Sequence, residues 1–385
     1  MDTKKARKKK AMGLEGVICI LVLSSLIYLL SSKMGGINMI NTIIKTAHDL
    51  LLNTVFFIMG VSVIAGAFAG ILSEFGVIAI LNKMLSPLMR PLYRLPGAAV
   101  LGILTTYISD NPAILSLSAD KGFTKYFKKY QLPALTNLGT SFGMGFIVST
   151  FMIAQSGSMG ENLVLPVIIG NLGAFAGSIV SVNLMINSTK KIFHENGNDL
   201  EESSTSDFLN YREIRDGNVL ERLLEALLEG GKNGVQMGME IIPGVLIICT
   251  TVLLLTNGPT VNGYTGGAYE GIALLPYIGE KLQFILKPLF GFTSAKALAF
   301  PITSLGAVGA ALGLVPQFIA DGAITSREIA VFTAMGMTWS GYLSTHVAMM
   351  DSLGYRKLTG KAIFSHTIGG IVAGITANIL YTIFI

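Results

Sequence analysis

Charged residues are scarce in this sequence, and their scarcity argues against a water-soluble globular protein. They make up 13% of the 385 residues, while 51% are hydrophobic. Soluble domains carry roughly 25% charged residues. Cysteine is also scarce, because only Cys19 and Cys249 occur and both lie inside apolar runs. We interpret them as small core residues rather than as a disulfide or a pair of metal ligands.

The sequence also lacks the short motifs that mark common catalytic and nucleotide-binding sites. It contains no P-loop, no zinc-ligand spacing, no nucleophile elbow and no haem-attachment motif. We therefore expect no enzymatic activity and no organic cofactor, and only a bound sodium ion is left open. Basic residues cluster between apolar runs, which indicates membrane topology rather than nucleic-acid binding.

Several apolar runs reach the roughly 20 residues that are needed to cross a bilayer. About seven transmembrane helices are predicted, near 13–31, 50–73, 131–155, 163–187, 234–256, 329–350 and 362–385. The basic segment 1–12 is predicted to be a cytoplasmic tail. No convincing cleavage site follows 13–31, so we interpret this run as a retained helix rather than a signal peptide. The predicted fold class is an all-α polytopic membrane protein in a lipid bilayer.

Two further apolar stretches, 95–118 and 294–318, carry helix-breaking or polar residues in their middle. The interruptions are S-D-N-P at 109–112 and F-P-I-T-S at 300–304. If both stretches are re-entrant hairpins, 22 of the 28 Lys and Arg residues fall on one side of the membrane. Cytoplasmic loops carry the excess of basic residues. We therefore predict two re-entrant hairpins and a cytoplasmic N-terminus in the cell membrane.

The two halves of the chain resemble each other at a constant offset of 197 residues. The matched positions include Pro91 and Pro288, Gly139 and Gly336, and Gly173 and Gly370. With the topology above, the units 50–187 and 234–385 run in opposite orientations, an arrangement that recurs in secondary transporters. The polar stretch 188–233 is predicted to be a cytoplasmic linker, with an amphipathic helix at 220–228.

Asp110 is the one acidic residue predicted deep within a membrane element, beside Asn111 and Pro112. A charge inside a membrane is costly unless it is paired or solvated, so such a residue indicates a functional site. It could bind a cation, carry a proton or hydrogen-bond a substrate hydroxyl. The alternative is a helix cap or an Asx turn at the hairpin tip, and capping is compatible with function.

The helices that follow the hairpins are predicted to be interrupted near 136–143 and 336–341, where glycines and hydroxyl residues cluster. In hydrocarbon, broken backbone occurs only where protein or a water-filled cavity surrounds it. The oxygen donors suited to Na⁺ in the first break are Asn137, Thr140 and Ser141, with interhelical hydrogen bonding as the alternative. The candidates for solute binding are Asp110, Asn111 and Asn137 in the first half, and Thr303, Ser304, Thr338, Trp339 and Ser340 in the second. Trp339 either stacks on a planar solute or simply packs.

Two further titratable residues near the second break are weaker candidates. His346 follows this break and Asp351 lies beyond it, so a proton relay is conceivable. The sequence favours a polar contact near the inner surface for His346. Glu240 is placed close to the inner interface.

With these features the chain resembles the nucleoside-recognition, or Gate, domain superfamily. The resemblance covers about residues 50–385 and rests on the order of the elements and on the segments S-D-N-P and T-N-L-G-T-S-F-G. That superfamily includes concentrative nucleoside transporters and spore maturation A/B membrane proteins. The resemblance implies a central solute site where the hairpin tips meet the broken helices, and a homo-oligomer.

The resemblance also implies a cation site between Thr106 and Asn111 of the first hairpin and the break at 137–141. Nucleoside transporters of this group hold the ribose with a carboxylate in the second broken helix, whereas 336–344 contains no acid. We predict a cation-coupled (Na⁺ or H⁺) secondary transporter of a small polar solute, nucleoside-like or otherwise, with an elevator or rocking motion. The alternative is a non-transporting membrane factor of the spore maturation or envelope type.

Overall fold

The computed structural model describes residues 13–119, 121–193 and 214–385, and most of this part is helical. No β-strand occurs in these ranges, and one isolated bridge joins Thr260 to Gly263. The all-α class predicted from the sequence is therefore confirmed. The basic tail 1–12 and the central part of the predicted linker lie outside the described residues.

Each half of the chain contains both long and short helices. The first half contains α1 (Leu14–Met34), α2 (Gly36–Asp49), α3 (Phe56–Glu74), α4 (Val77–Leu85), α5 (Met89–Tyr93), α6 (Ala99–Ile108), α7 (Asn111–Ala119), α8 (Lys121–Thr124), α9 (Ala134–Thr140), α10 (Gly145–Ala154), α11 (Ser156–Met159) and α12 (Val164–Phe193). The second half contains α13 (Val219–Pro243), α14 (Thr250–Thr256), α15 (Leu274–Phe290), α16 (Ala299–Ser304), α17 (Val308–Leu312), α18 (Val315–Ala320), α19 (Ser326–Thr338), α20 (Tyr342–Ser352) and α21 (Thr359–Phe384). The π-helical turns Leu50–Val55 and Gly244–Cys249 join α2 to α3 and α13 to α14.

Within the described ranges, six helical stretches are long and apolar enough to cross a membrane. They are Leu14–Met34, Gly36–Glu74, Ala134–Met159, Val164–Phe193, Val219–Thr256 and Arg356–Phe384. These stretches correspond to six of the seven spans predicted from the sequence. The seventh prediction, 329–350, is not among them, and it is divided into α19 and α20 at residues 339–341, as Ala134–Met159 is divided at residues 141–144.

Two helices extend beyond the bounds that the sequence predicts. Residues 36–49 form α2, although the predicted span begins at residue 50. Helix α13 begins at Val219 because Asn218 and Glu221 form a capping box, in which each side chain accepts a hydrogen bond from the other residue's backbone N–H. The amphipathic segment 220–228 is therefore the start of a long helix rather than a separate surface helix.

Both stretches with a polar or proline interruption contain a helix break. In the first hairpin (α6 and α7) the helix ends at Ile108 and resumes at Asn111. A Cβ placed on Gly102 would lie 2.8 Å from Cδ1 of Ile114, so α7 folds back onto α6. In the second hairpin (α16 to α18) the helix ends at Ser304 and resumes at Val308. The depth of both hairpins in a bilayer stays a prediction.

Left-handed backbone recurs at the offset of 197 residues that relates the two halves. The three pairs with positive φ are Gly76 (80°) and Ala273 (51°), Arg94 (54°) and Gly291 (70°), and Met144 (55°) and Gly341 (62°). L-residues other than glycine rarely adopt this conformation. The two halves therefore share three unusual turns at equivalent positions.

Long helices from the two halves pack through glycines. Between α3 and α13, a Cβ on Gly66 would lie 2.3 Å from the carbonyl oxygen of Gly230. Between α12 and α21, a Cβ on Gly177 would lie 2.4 Å from the carbonyl oxygen of Gly369. Backbones approach this closely only where side chains are absent, which is a common mode of helix packing in membranes.

Candidate functional site

The two broken helices lie beside the two hairpins. Helices α9 and α10 are separated by residues 141–144, and α19 and α20 by residues 339–341. The first hairpin packs against α9 and α20. The second hairpin packs against α19, where the rings of Phe300 and Phe332 stack with centroids 4.1 Å apart. The four interruptions thus belong to one packed group of elements.

Two adjoining cavities lie between this group and helix α13. The Ser340 cavity has a volume of about 390 Å³ and is lined by Asp110, Glu240, Ser340 and Thr345, among others. The Arg215 cavity has a volume of about 410 Å³ and also reaches Asp110 and Glu240. Both carboxylates therefore lie where the two cavities meet.

Two arginines beside these cavities form ion pairs with glutamates. Arg215 forms ion pairs with Glu74, at 2.6 Å, and with Glu229, while Arg222 pairs with Glu74 at 2.7 Å. The hydrogen bond to Glu229 is the main reason that the pKa of Arg215 is raised. Glu240 accepts a hydrogen bond from Gln236 Nε2 at 2.9 Å. The charge of Arg215 is thus balanced by Glu74 and Glu229, while Asp110 and Glu240 line both cavities.

The oxygen donors predicted for Na⁺ are buried, and most bond to their own helix. The hydroxyls of Thr106, Thr140 and Ser141 each donate at 2.7 Å to a carbonyl one turn earlier. Asn137 Nδ2 donates to Ser181 Oγ and to the carbonyl of Ala362, while its Oδ1 has no hydrogen-bond partner among the described residues. The side chain of Asn111 lies outside the part of the chain that can be described.

The predicted solute-binding residues of the second half fall into two groups. Ser340 lines the Ser340 cavity. Thr303, Ser304 and Thr338 are buried and donate to carbonyls four residues earlier in their own helices. Trp339 is 5% exposed and donates from Nε1 to the carbonyl of His366 at 3.4 Å. It packs against α21 and lines neither cavity.

Similarity to known proteins is found in the structure and not in the sequence. No protein-family model matches the sequence, and no curated protein matches it. Two solved structures of CNTnw, a concentrative nucleoside transporter, are similar. One is a variant in the intermediate 2 state, with 13% identity, a TM-score of 0.52, and coverage of 96% of this chain and 93% of that chain. The other is a doubly substituted variant in an outward-facing state, with 12% identity, a TM-score of 0.52, and coverage of 98% and 94%.

The fold is that of the concentrative nucleoside transporters. Two carboxylates line both cavities, Asp110 on the first hairpin and Glu240 on α13, and Glu229 lines the Arg215 cavity as well. The second broken helix, residues 336–344, contributes hydroxyls but contains no acid. Glu240, which the sequence placed near the inner interface, therefore lies at the junction of the cavities.

A pair of buried histidines lies behind the second break. His346 and His366 are both fully buried, and their ring centroids are 4.7 Å apart. The ring of His346 lies in the protein interior, and the predicted position near the inner membrane surface stays a prediction. Sequence reasoning missed His366, although an ionisable residue in the middle of an apolar helix is itself a signal of function.

Proposed function

We propose that this protein is a cation-coupled secondary transporter of a small polar solute, and that the two cavities form its solute site. The supporting observation is that both cavities meet at Asp110, between helix breaks from both halves and helix α13. Broken helices at the interface of two repeats are where secondary transporters bind solutes. An elevator or rocking motion of the hairpin group against α3 and α13 would expose the site alternately.

The chemistry of the walls narrows the class of solute. Asp110 and Glu240 offer carboxylate oxygens, and Ser340 and Thr345 add hydroxyls. Arg215, the nearby guanidinium, is held by Glu74 and Glu229. Such walls suit a solute with O–H or N–H donors or a positive charge rather than an anion. Nucleosides belong to this class, and CNTnw is a nucleoside transporter by name.

A thermal-shift experiment on the purified protein in detergent tests this proposal. The unfolding midpoint is measured across neutral, cationic and anionic polar solutes, including nucleosides, in sodium and in choline buffers at two pH values. A solute at about 100 times its Kd stabilises the folded protein by about 2.7 kcal/mol. We expect a neutral or cationic solute to stabilise the unsubstituted protein. Asp110→Asn should bind the same solute at least about tenfold more weakly, which corresponds to a loss of about 1.4 kcal/mol of binding free energy.

Glu280→Gln is the matched control, because it removes one carboxylate from the exposed face of α15. Binding by this variant should equal that of the unsubstituted protein. If no solute shifts the midpoint in any buffer, the transporter proposal fails and the alternative of a non-transporting membrane factor takes its place. If anionic solutes alone bind, the proposed solute class is wrong.

A further inference from the structure

The buried pair His346 and His366 has an uneven set of hydrogen bonds. His366 Nε2 lies 2.6 Å from the carbonyl oxygen of Thr338, which can only accept, so this nitrogen carries a hydrogen. His366 Nδ1 lies 2.9 Å from Ser181 Oγ, and that hydroxyl already accepts from Asn137 Nδ2 at 2.9 Å. The Ser181 hydroxyl hydrogen is thus available to Nδ1. Both nitrogens of a neutral His366 are satisfied.

His346 is the opposite case. Its side chain is fully buried, and neither ring nitrogen completes a hydrogen bond with any residue that the structure describes, although the Tyr342 backbone one turn earlier interacts with the ring. Buried polar groups are nearly always paired, and an exception in a packed interior needs a functional explanation. Asn137, which is linked to His366 through Ser181, also has an Oδ1 without a hydrogen-bond partner in the described part of the chain. This cluster therefore contains nitrogen and oxygen atoms whose hydrogen-bonding capacity is not used by the described residues.

The pair is attached directly to the break that forms part of the cavity wall. The carbonyl bonded by His366 belongs to Thr338, the last residue of α19. Trp339 Nε1 donates to the His366 carbonyl, and the Tyr342 hydroxyl is bonded to Thr367. The residues between these anchors include Ser340, which lines the Ser340 cavity. A change in the charge of His346 or His366 therefore acts directly on residues 339–341, because the hydrogen bonds at Thr338, Trp339 and Tyr342 join this segment to the pair and to the helix that carries His366.

We propose that His346 and His366 bind one exchangeable proton, and that its gain or loss repositions residues 339–341 and so reshapes the solute site. The proton comes from water, adds to a free nitrogen of the pair to form an imidazolium, and returns to water. Only one proton is held, because two imidazolium rings with centroids 4.7 Å apart would repel strongly in a medium of low dielectric constant. This inference rests on the proposed function, for which it names the coupling ion.

A metal ion fits this cluster less well than a proton. Both nitrogens of His366 already have protein partners, which leaves only the nitrogens of His346 as ligands. In the described part of the chain, no group of three or more His, Cys, Asp or Glu residues could hold a metal. Two imidazoles without a carboxylate or thiolate do not complete a tetrahedral site.

Few other titratable groups face the pair. The Tyr342 ring lies 6.0 Å from His346 and 6.1 Å from His366, measured between centroids. The charged or titratable residues on the helices packed around the pair lie towards the ends of those helices. They are Asp351 on α20, Lys361 and Tyr381 on α21, Lys190 and Lys191 on α12, Arg327 and Glu328 on α19, and Asp110 before α7. Asp110 and Glu240 also line the Ser340 cavity beside the second break, so the loss of a transition in the histidine variants is what assigns it to the pair.

The single tryptophan of the chain provides the test, because Trp339 bonds to His366 and an imidazolium quenches indole emission. Trp339 fluorescence is recorded against pH in detergent with EDTA. We expect a transition of one proton in the unsubstituted protein and its loss in His346→Gln. The matched control His48→Gln changes an exposed histidine on α2 and should leave the transition unchanged. Ser181→Ala, which removes the Nδ1 partner, should shift the midpoint without abolishing the transition.

An unchanged transition in both His346→Gln and His366→Gln would overturn the proposal, and so would a transition that appears only with added zinc. If the glutamine variants do not fold, as judged by gel filtration, the ring signals of ¹⁵N-histidine in the unsubstituted protein decide the question. Two coupled buried imidazoles that share one proton support the proposal, and two that stay neutral from pH 8 to pH 4 refute it.

These measurements need no solute, so they stand apart from the transporter proposal. With a stabilising solute in hand, proteoliposomes containing pyranine should show solute-driven proton entry that His346→Gln abolishes while solute binding persists. If the solute binds but the pair does not titrate, Na⁺ remains as the coupling ion. If the pair titrates but no solute binds, the proton site stands, while the transporter proposal and the role of the proton as its coupling ion fail.

Discussion

Glu270, in the loop between α14 and α15, shows how one buried carboxylate organises a segment outside the spanning helices. Burial alone would raise its pKa. Hydrogen bonds from Thr265 Oγ1, at 2.5 Å, and from the backbone N–H groups of Thr265, Gly266 and Gly267 outweigh that effect and lower the pKa below 4.5. The ionised form of Glu270 therefore holds residues 265–270 in their fold.

Glu270→Gln should lower the unfolding midpoint at neutral pH, because hydrogen bonds to a charged group contribute about 1.5–3 kcal/mol. The folded pKa lies below the ordinary value, so the stabilisation is complete above about pH 4.5 and is lost as the pH falls through the folded pKa. Thermal unfolding at several pH values should show the difference from the unsubstituted protein narrowing in acid. Glu280→Gln, on the exposed face of α15, should show no such difference at any pH.

Individual residues also show what the sequence could and could not reveal. The scarcity of charge, the S-D-N-P segment and the glycine-rich breaks were sufficient to predict helices, two interrupted stretches and Asp110 at the cavity. The partner of His346 could not be predicted, because no periodicity tells which residue of another helix faces a given ring. The place of Glu240 on the cavity walls could not be predicted either, since depth along a helix does not reveal a cavity beside it.

At the scale of elements, helices α3 and α13 associate through the close approach of their backbones at glycine residues. Lipid and helix surfaces are similarly apolar, so close backbone approach and dispersion forces replace the hydrophobic effect as the source of association. Gly66 meets the carbonyl of Gly230 on the facing helix. The sequence does not reveal this pairing, because α13 begins at Val219, behind the Asn218 capping box, within the polar stretch 188–233 that is predicted to be a linker.

Gly66→Ala should destabilise the protein by about 1–3 kcal/mol, because the new methyl group would overlap the Gly230 carbonyl and force the helices apart. Gly60→Ala is the matched control on the same helix, since a Cβ there meets nothing within 4 Å. It should be neutral or stabilising by about 0.5–1 kcal/mol through helix propensity. Thermal unfolding of both variants in one detergent measures the difference, and equal midpoints would contradict the packing argument.

For the whole molecule, the distribution of basic residues predicts how the chain lies in a membrane. The assignment that places 22 of the 28 Lys and Arg residues on the cytoplasmic side requires the first hairpin to return to the side from which it entered. The fold-back of α7 onto α6 agrees with a hairpin, while its orientation and the predicted homo-oligomer stay predictions.

Cysteine labelling in intact cells checks this orientation. In a background of Cys19→Ser and Cys249→Ala, Lys125→Cys should react with an impermeant maleimide only after the cells are opened. Glu280→Cys, on the exposed face of α15, should react from outside in intact cells. Labelling of Lys125→Cys from outside would show that the first hairpin crosses the membrane.

The seam between α12 and α21 joins the two halves largely through main-chain atoms, where Gly173 and Gly177 lie against the carbonyls of Ala373 and Gly369. Where two side chains touch, enlargement of one can be offset over generations by reduction of the other. No substitution can make a backbone carbonyl smaller. A larger residue in place of the facing glycine therefore cannot be accommodated by a second substitution at the carbonyl's position. Divergence among descendants of this chain should therefore accumulate on the surfaces that meet lipid, while this line of small residues is inherited unchanged.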